Sequence, residues 1–233
     1  MKRMRKCRRW LGIVLILCGI IAVLLPELWS VKTQEAQNTI IEKFPDMRQK
    51  YRDQTELWEQ ISRYNELIYK NHQVNFNNEW TVKEIPEQVT MLEGALFGYI
   101  EIPVMQCKLP LYLGASDENM AMGAAVLGGT SVPIGGINTN SVIAGHRGWK
   151  NGKYFKDIEQ LTVGDHVYIT NPWETLCYCV EKVVVIEPSD SEKVKIQEGK
   201  DMITLLTCHP YRSGGRYRYV VYCTRAVSEK DPV

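Results

Sequence analysis

The sequence predicts a mainly β domain that follows a helical N-terminal region. Three observations support this fold class: an uncharged apolar segment near the N-terminus, helical periodicity after it, and eight short apolar runs beyond Gly98. The runs are separated by glycine, proline and asparagine, a spacing that favours an antiparallel barrel or sandwich. The chain has 233 residues, of which 45% are hydrophobic, so it can build one sizeable core.

The first nine residues are strongly basic, whereas the rest of the chain is acidic. Six positive charges lie before residue 10, on Lys2, Arg3, Arg5, Lys6, Arg8 and Arg9. Without them, 22 basic residues stand against 27 acidic ones. A domain with a net negative charge lacks the basic surface that nucleic-acid binding needs, so we expect no nucleic-acid partner.

The stretch after the basic cluster has the composition of a membrane span. Residues 10–29, WLGIVLILCGIIAVLLPELW, carry no charge between Trp10 and Leu25. About twenty residues cross a bilayer as a helix, and a basic flank stays in the cytoplasm. We therefore expect residues 1–9 to be cytoplasmic, residues 10–29 to be a single-pass transmembrane signal anchor in the cell membrane, and the remainder to be extracellular.

Two alternatives explain the same segment less well. A cleaved signal peptide would need an A-x-A-like pair of small residues, but Pro26, Glu27, Leu28, Trp29 and Ser30 follow Leu25. A buried helix of a soluble protein would leave the basic cluster without an explanation.

Residues 30–96 are expected to form an extracellular helical stalk that ends in a lid or linker. In the second half of the stalk, apolar residues recur at steps of three and four, at Leu57, Trp58, Ile61, Tyr64, Leu67 and Ile68. Pro45 should end or kink a helix near Phe44. Residues 71–96 lose this order, are rich in asparagine and contain Pro86, which indicates a long loop.

Residues 97–233 are expected to form the folded domain. Its candidate strands are GYIEIPV, KLPLYLG, AAVLGGTSVPIGG, NSVIAGH, DHVYIT, TLCYCVEKVVVI, MITLLTC and YRYVVYCTR, with a short helical piece at KYFKDIEQL. The cysteines of this domain lie in apolar runs, where they suit small core positions. A disulfide framework is therefore not expected, although a pairing such as Cys179 with Cys223 stays open.

Two chemically reactive residues stand at the ends of candidate strands. Cys208 ends MITLLTC, and His146 ends NSVIAGH. A side chain at the end of a core strand is held rigidly and can still reach a surface groove. A cysteine nucleophile needs a histidine within hydrogen-bonding reach and a donor for an oxyanion, which Arg218 could supply. From these residues alone, a structural cysteine remains the alternative to a catalytic one.

The same residues and their surroundings resemble the sortase family of cysteine transpeptidases. TLLTC at 204–208 is similar to the family's T-L-x-T-C strand, RYVVYC begins with Arg218, and SVIAGHRG is similar to the segment that bears the family's histidine. The similarity extends from about Gly98 to Arg225, which is more than half of the chain. It implies a sortase-type β-barrel of eight strands.

The resemblance also implies a mechanism and its partners. Cys208 would be the nucleophile that forms an acyl-thioester with an LPxTG-like sorting signal of a surface protein or pilin. His146 would be the general acid/base, Arg218 would stabilise the substrate carbonyl and the oxyanion, and Thr207 would line the same substrate pocket. The acceptor would be an amine, either a pilin lysine or a cell-wall peptide, and no cofactor is implied.

Three neighbouring residues compete with these assignments. Arg216 and Arg218 flank Tyr217 and share a face by strand alternation, so Arg216 is the second choice. Arg212, in the turn, is a weaker candidate. His209 adjoins Cys208 but should point to the opposite face of the strand, so His146 is preferred as the base.

The subclass is less well defined than the family. AHRG, GGTSVPIGG and RYNELI resemble class C sortases, which assemble pili by joining subunits through a lysine. Those enzymes commonly carry a lid with an Asp-Pro-aromatic motif, for which NNEWT, with Glu79 and Trp80, is a loose substitute. They also commonly carry a second membrane helix, which is not found between the barrel and Val233. A class B-like or housekeeping sortase that anchors proteins to cell-wall peptide therefore stays open.

A further alternative is a catalytically inert, membrane-tethered binding domain on the same barrel. The presence of all three candidate catalytic residues argues against it. A metal site is not expected either, because the sequence has no C-x-x-C pair and no acidic cluster, and C-Y-C at 177–179 has no plausible set of partners.

Overall fold

The computed structural model describes residues 2–74, 76, 96–148 and 152–226, with the backbone alone described for residues 2–9, 11 and 22–29. Within these residues, three helices precede a closed barrel of eight strands. The mainly β fold class and the eight-stranded barrel are thus confirmed.

The helical region consists of α1 (Lys2–Glu42), α2 (Phe44–Arg52) and α3 (Thr55–Lys70). Pro45 lies in the first turn of α2. A proline is tolerated there because the first N–H groups of a helix have no intrahelical acceptor. The predicted helix break near Phe44 is therefore confirmed.

In the described part of the chain, we find no helix with the length and apolar character needed to cross a membrane. The transmembrane anchor expected at residues 10–29 is not confirmed and stays a prediction.

The face that α3 presents to the barrel differs from the predicted apolar face. Leu57, Ile61 and Asn65 are buried, whereas Trp58 and Leu67 are 41% and 57% exposed. Trp58 and Leu67, which the sequence assigned to the apolar face, thus lie outside the buried face, and the polar residue Asn65 is part of it.

The side-chain amide of Asn65 binds the backbone of Val132 in both directions. Its Nδ2 donates to the Val132 carbonyl oxygen at 3.0 Å, and the Val132 N–H donates to Oδ1 at 2.8 Å. A buried amide is stable only when it is hydrogen-bonded, and here its partner is the backbone of an irregular loop. The Asn65 side chain therefore joins α3 to the loop between β3 and β4.

Other contacts hold the helical region to the barrel. In α2, Nε and Nη2 of Arg48 donate to the carbonyl oxygens of Pro172 and Trp173 at 3.1 and 2.9 Å. After α3, the side chain of Gln73 donates to the Gly129 carbonyl oxygen at 3.0 Å and accepts the Ile196 N–H at 2.7 Å. The helices that the sequence assigned to a stalk thus pack against the barrel.

The barrel strands are β1 (Leu96–Ile102), β2 (Cys107–Leu113), β3 (Ala124–Val126), β4 (Thr139–Ala144), β5 (His166–Thr170), β6 (Thr175–Ile186), β7 (Asp201–His209) and β8 (Tyr217–Arg225). Their order around the barrel is β1-β2-β3-β4-β7-β8-β6-β5, and β5 pairs with β1 to close it. Helix α4 (Asp117–Met122) lies between β2 and β3, and the helical piece expected at KYFKDIEQL is a 3-10 turn at Ile158–Gln160.

The pairing is mixed and not purely antiparallel as predicted. Among the described strands, β2 pairs with β3 and β4 pairs with β7 in parallel, whereas the other six pairings are antiparallel. A parallel pair needs a long crossover connection, and the chain between β4 and β7 contains β5 and β6. Apolar alternation within one strand carries no information about the direction of its neighbour, so the sequence did not predict this.

The sheet of β4, β7 and β8 is covered on both sides. On the barrel interior its residues are Ile143, Ile203, Leu205, Val221 and Cys223. On the outside they join an outer cluster of Phe76, Leu127, Val142, Ala144, Ile186, Val194, Met202, Leu206, Val220 and Tyr222. Successive residues of a strand point to opposite faces. If one residue belongs to the outer cluster, the residues directly before and after it in the strand therefore point to the barrel interior.

The Asn65 contact predicts a specific loss of stability. We expect Asn65→Ala to lower the free energy of unfolding by about 1 to 3 kcal/mol, because it leaves the buried N–H of Val132 without a partner and removes one of the two donors to the Val132 carbonyl oxygen. Arg63→Ala, on the exposed side of α3, should change it by less than about 0.5 kcal/mol. Urea unfolding followed by circular dichroism measures both, and equal losses would contradict this role for Asn65.

Candidate active site

The parallel pairing of β4 with β7 brings His146 and Cys208 to the same place. Ala144 lies opposite Leu206 in the register of the two strands. His146 lies two residues beyond the end of β4, and Cys208 lies two residues after Leu206 within β7, so the two residues leave the paired strands at the same level. Leu206 belongs to the outer cluster, and alternation directs Cys208 to that same side.

Arg218 lies directly opposite Cys208 in the antiparallel pairing of β7 with β8. Val220, two residues further along β8, is in the outer cluster, so Arg218 also faces outward. Its Nη1 donates to the carbonyl oxygens of Gly215 at 2.7 Å and Tyr217 at 3.2 Å. The guanidinium is therefore held by backbone carbonyls beside the sulfur.

Arg216 and Arg212 occupy different positions. Strand β8 begins at Tyr217, so Arg216 precedes it and the argument from strand alternation does not apply to this residue. Arg212 lies in the turn with a positive φ of 61°. Of the three arginines proposed from the sequence, Arg218 is the one paired with Cys208.

Cys208 differs from the other described cysteines of the barrel because it is exposed. Cys107 and Cys223 are buried, and burial raises the pKa of the Cys107 thiol to about 12 and that of Cys223 well above its ordinary value. Burial also raises the pKa of Cys177, which is half-buried. Thiolate formation is thus suppressed at these three sites.

The disulfide left open by the sequence is not present. Cys179 and Cys223 are free cysteines. Cys223 is paired with Val180, and both face the barrel interior, so Cys179 points to the outside. Side chains on opposite faces of a sheet cannot be bridged by a disulfide.

His146 is half-buried, and its position is fixed by the segment that follows it. The Phe155 N–H donates to the His146 carbonyl oxygen at 2.9 Å, and the ring of Tyr154 meets the imidazole edge-on at 6.0 Å. Burial lowers the pKa of His146, and the carboxylate of Asp117 partly opposes this shift. Burial thus favours the neutral imidazole, the form in which a general base accepts a proton.

Thr207 is buried, and its hydroxyl donates to the Gly145 carbonyl oxygen at 2.6 Å. This hydrogen bond ties the residue before Cys208 to the residue before His146. A substrate-lining role for Thr207 stays a prediction.

His209 points away from Cys208, as alternation predicts. Its ring packs on Tyr219 with centroids 5.6 Å apart, and its Nδ1 lies 2.7 Å from Nη1 of Arg147 and 3.2 Å from Oε1 of Glu159. His209 thus belongs to a polar cluster on the interior side of the strand and not to the site around the sulfur.

Gly215 closes one side of the site. Its φ is +82°, and a Cβ at this position would lie 3.2 Å from the Cys208 sulfur and 3.1 Å from Nη1 of Arg218. Glycine is therefore required both by the backbone conformation and by the close approach. The sequence showed a glycine pair in the turn but not that one of the two touches the nucleophile candidate.

Sequence reasoning also missed Asp117, Tyr154, Arg147 and Glu159, which surround the strand ends. A signal existed only for Arg147, which adjoins His146 in the chain. The other three come from segments that only the fold brings near the site.

Two further expectations concern segments around the site. Residues 77–95, which include Glu79 and Trp80 of the lid or linker, lie outside the described residues. Within the part that is described, we find no cluster of three or more histidine, cysteine or acidic residues able to hold a metal ion.

Comparisons with known proteins agree with this geometry. The family model of the sortase domain matches residues 100–226. Sortase A of Bacillus anthracis is 28% identical over 176 residues, which cover 73% of this chain and 81% of that protein.

Two solved structures resemble the fold closely. Sortase C of Clostridium perfringens, solved with the C-terminal cell wall sorting motif, has a TM-score of 0.72 and 33% identity, covering 82% of this chain and 99% of its own. Sortase C1 of GBS Pilus Island 1 has a TM-score of 0.74 and 30% identity, covering 83% of this chain and 100% of its own.

The two glycines of the β7–β8 turn provide a matched pair of variants. Gly214 has a φ of +71°, and a methyl group added there would meet no described atom within 4 Å, whereas a methyl group on Gly215 would contact Cys208. Gly214→Ala and Gly215→Ala should each cost about 1 kcal/mol of stability for the positive φ. Only Gly215→Ala should also slow alkylation of Cys208 by iodoacetamide, measured by peptide mapping. Equal alkylation rates in Gly214→Ala and Gly215→Ala would show that a side chain at residue 215 does not restrict access to the Cys208 sulfur.

The electrostatic effect of Asp117 on His146 is measurable by NMR. We expect Asp117→Asn to lower the pKa of His146 further, because the carboxylate favours the charged imidazolium and burial disfavours it. The midpoint of the His146 ring titration should move to lower pH. Because Asp117 is exposed, the difference from wild type should shrink in 1 M salt, where the Debye length is about 3 Å. Glu118→Gln is the control, and an unchanged midpoint in Asp117→Asn would contradict the assignment.

Proposed function

Because the chain belongs to the sortase family of cysteine transpeptidases, we propose that it cleaves an LPxTG-like sorting signal and joins the freed carboxyl group to a pilin lysine during pilus assembly. The observation that carries the proposal is the exposed thiol of Cys208, opposite Arg218 and beside His146 at the ends of three adjacent strands. The pilus assignment is supported by the similarity to Sortase C1 of GBS Pilus Island 1.

In the first half-reaction, the Cys208 thiolate attacks the carbonyl carbon between threonine and glycine of the signal. A carbon–sulfur bond forms, and the carbonyl electrons move to the oxygen. When the tetrahedral intermediate collapses, the carbon–nitrogen bond breaks and the His146 imidazolium gives its proton to the departing glycine amine. The product is an acyl-thioester on Cys208 with a neutral imidazole beside it.

In the second half-reaction, an amine attacks the thioester. Neutral His146 takes the proton that the attacking nitrogen loses as the new amide forms, and the carbon–sulfur bond breaks to return the thiolate. The imidazolium and the thiolate are then ready for another cycle. The lowered pKa of His146 helps this step because it favours the neutral imidazole, which is the form that accepts the proton.

Arg218 is the residue we assign to the oxyanion. Its Nη1 already binds two carbonyl oxygens of its own turn. A guanidinium has five N–H groups in a rigid plane, so Nε and Nη2 can donate to the substrate oxygen while Nη1 fixes the orientation. Donors that are oriented before the reaction stabilise the developing charge without reorganisation.

Anchoring of proteins to cell-wall peptide is the second candidate function. It is supported by the match to Sortase A of Bacillus anthracis over most of both chains. The chemistry of Cys208, His146 and Arg218 would be the same, and only the acceptor amine would differ.

We also propose that the enzyme works outside the cell on a membrane anchor formed by residues 10–29. The support is the basic cluster at residues 1–9 followed by an uncharged apolar stretch. This arrangement would hold the barrel near newly exported sorting signals.

The thioester is the test of the proposed chemistry. Incubated with an LPxTG peptide, the full chain should gain the mass of the acyl fragment on Cys208, and Cys208→Ala should lose this adduct and all cleavage while keeping its circular dichroism spectrum. Cys177→Ala removes a half-buried thiol and should keep the activity. A folded Cys208→Ala variant that still cleaves the peptide would overturn the mechanism.

The acceptor is identified in the same reaction by product mass. A purified pilin domain and a cell-wall peptide amine are supplied together with the LPxTG peptide. A peptide–pilin amide supports pilus assembly, whereas a product with the wall peptide alone supports the anchoring function. Hydrolysis with neither product would count against both acceptors.

A further inference from the structure

The guanidinium of Arg147 links the two strand ends that carry His146 and Cys208. Arg147 directly follows His146, and its side chain is only 4% exposed. Its Nη1 donates to the carbonyl oxygen of Cys208 at 3.3 Å and to Nδ1 of His209 at 2.7 Å. A buried side chain from the end of β4 therefore holds the backbone at the end of β7.

A carboxylate orients this guanidinium. Nη2 of Arg147 lies 2.6 Å from Oε1 of Glu159, and the hydrogen bond from Arg147 lowers the pKa of Glu159. The ring of Tyr219 lies 5.7 Å from Cζ of Arg147. A buried cation is costly unless it is paired and hydrogen-bonded. Glu159 and the contacts on β7 partner Nη2 and Nη1 of Arg147, whereas its buried Nε has no hydrogen-bond partner among the described residues.

His209 takes part in this arrangement. Its Nδ1 lies 2.7 Å from Nη1 of Arg147 and 3.2 Å from Oε1 of Glu159. The ring is also packed on Tyr219. His209 is thus used to hold Arg147, which gives a structural reason why the residue next to Cys208 is a poor candidate for the base.

We propose that Arg147 is a positioning residue that sets the separation between the Cys208 sulfur and the His146 imidazole. Arg147 acts through the backbone of Cys208 and through its own peptide link to His146, and it contacts neither the substrate nor the reacting atoms. The proposal rests on the proposed function, because it assigns Arg147 a part in the reaction of Cys208 with His146.

The variant Arg147→Lys tests whether the hydrogen-bonding geometry of Arg147 matters or only its positive charge. Lysine keeps the positive charge but has a single ammonium in place of a planar fork, so it cannot hold the carbonyl oxygen, the imidazole and the carboxylate together. We expect kcat for LPxTG peptide cleavage to fall about tenfold to a hundredfold while KM stays within about twofold, because the reacting groups and not the binding surface are displaced.

Arg48→Lys is the matched control. Arg48 also joins two distant segments by donating to two backbone carbonyls, those of Pro172 and Trp173. Those two carbonyls belong to the turn between β5 and β6, and Glu174 of this turn pairs with Arg225, at the far end of β8 from Arg218. We expect Arg48→Lys to lose stability but to keep the wild-type kcat at temperatures where it is folded. An equal loss of kcat in both variants, or none in Arg147→Lys, would overturn the proposal.

Alkylation of Cys208 provides a readout that needs no sorting signal. The rate with iodoacetamide is measured at one pH for wild type, Arg147→Lys and Arg48→Lys. The rate should change in Arg147→Lys alone, because losing the contact with the Cys208 carbonyl oxygen displaces the backbone that carries the sulfur. If wild type does not cleave the LPxTG peptide, the proposed function fails, yet these rates still decide the role of Arg147: equal rates in the three proteins reject it.

If Arg147→Lys does not fold, the variant Glu159→Ala provides a second test of the positioning role. The Glu159 side chain is 52% exposed, so its removal should be tolerated. Without the carboxylate, the guanidinium loses the partner that orients Nη2, and we expect kcat to fall to a smaller extent than in a folded Arg147→Lys, with KM unchanged. A wild-type kcat in Glu159→Ala would then count against the positioning role.

Discussion

The parallel pairing of β4 with β7 is the interaction on which the site depends. It sets Ala144 beside Leu206, and the two reactive side chains follow at the same distance beyond that pair. A shift of one residue would turn one of them to the barrel interior, because side chains alternate along a strand. The register is protected by the two clusters that cover the sheet, since any slip would also exchange buried residues between them.

The same alternation places the candidate catalytic residues on one face of the sheet and the residues that hold them in position on the other. The outer side carries Cys208 and Arg218 next to the outer cluster, and His146 follows just beyond the end of β4. The interior side carries Thr207 and His209, whose polar groups bind Gly145 and Arg147. At the end of β7, the reactive residue Cys208 thus lies between two residues, Thr207 and His209, that hold the neighbouring backbone and side chains in place. The residues on one face can be substituted without changing those on the other.

Much of the fold could be read from the sequence, and most of the site could be assigned by resemblance. Each of the eight apolar runs contains or overlaps a strand, because apolar periodicity reflects burial directly. Strand direction could not be read, since it depends on the partner strand. The burial of Asn65 on α3 could not be read, because the residue is polar and its partner, Val132, lies far away in the chain. Glu159 was missed for the same reason: nothing local links it to Arg147.

The packing of the helical region defines how much of the chain must fold together. The family model begins at residue 100, close to the first strand, yet Leu57, Ile61 and Tyr51 belong to the interior core and Phe76 to the outer cluster. A fragment that starts at the first strand would expose apolar surface on both sides of the barrel and leave a loop without its amide partner. The cooperative unit therefore includes the helices, and an expression boundary drawn from strand positions alone would divide one core in two.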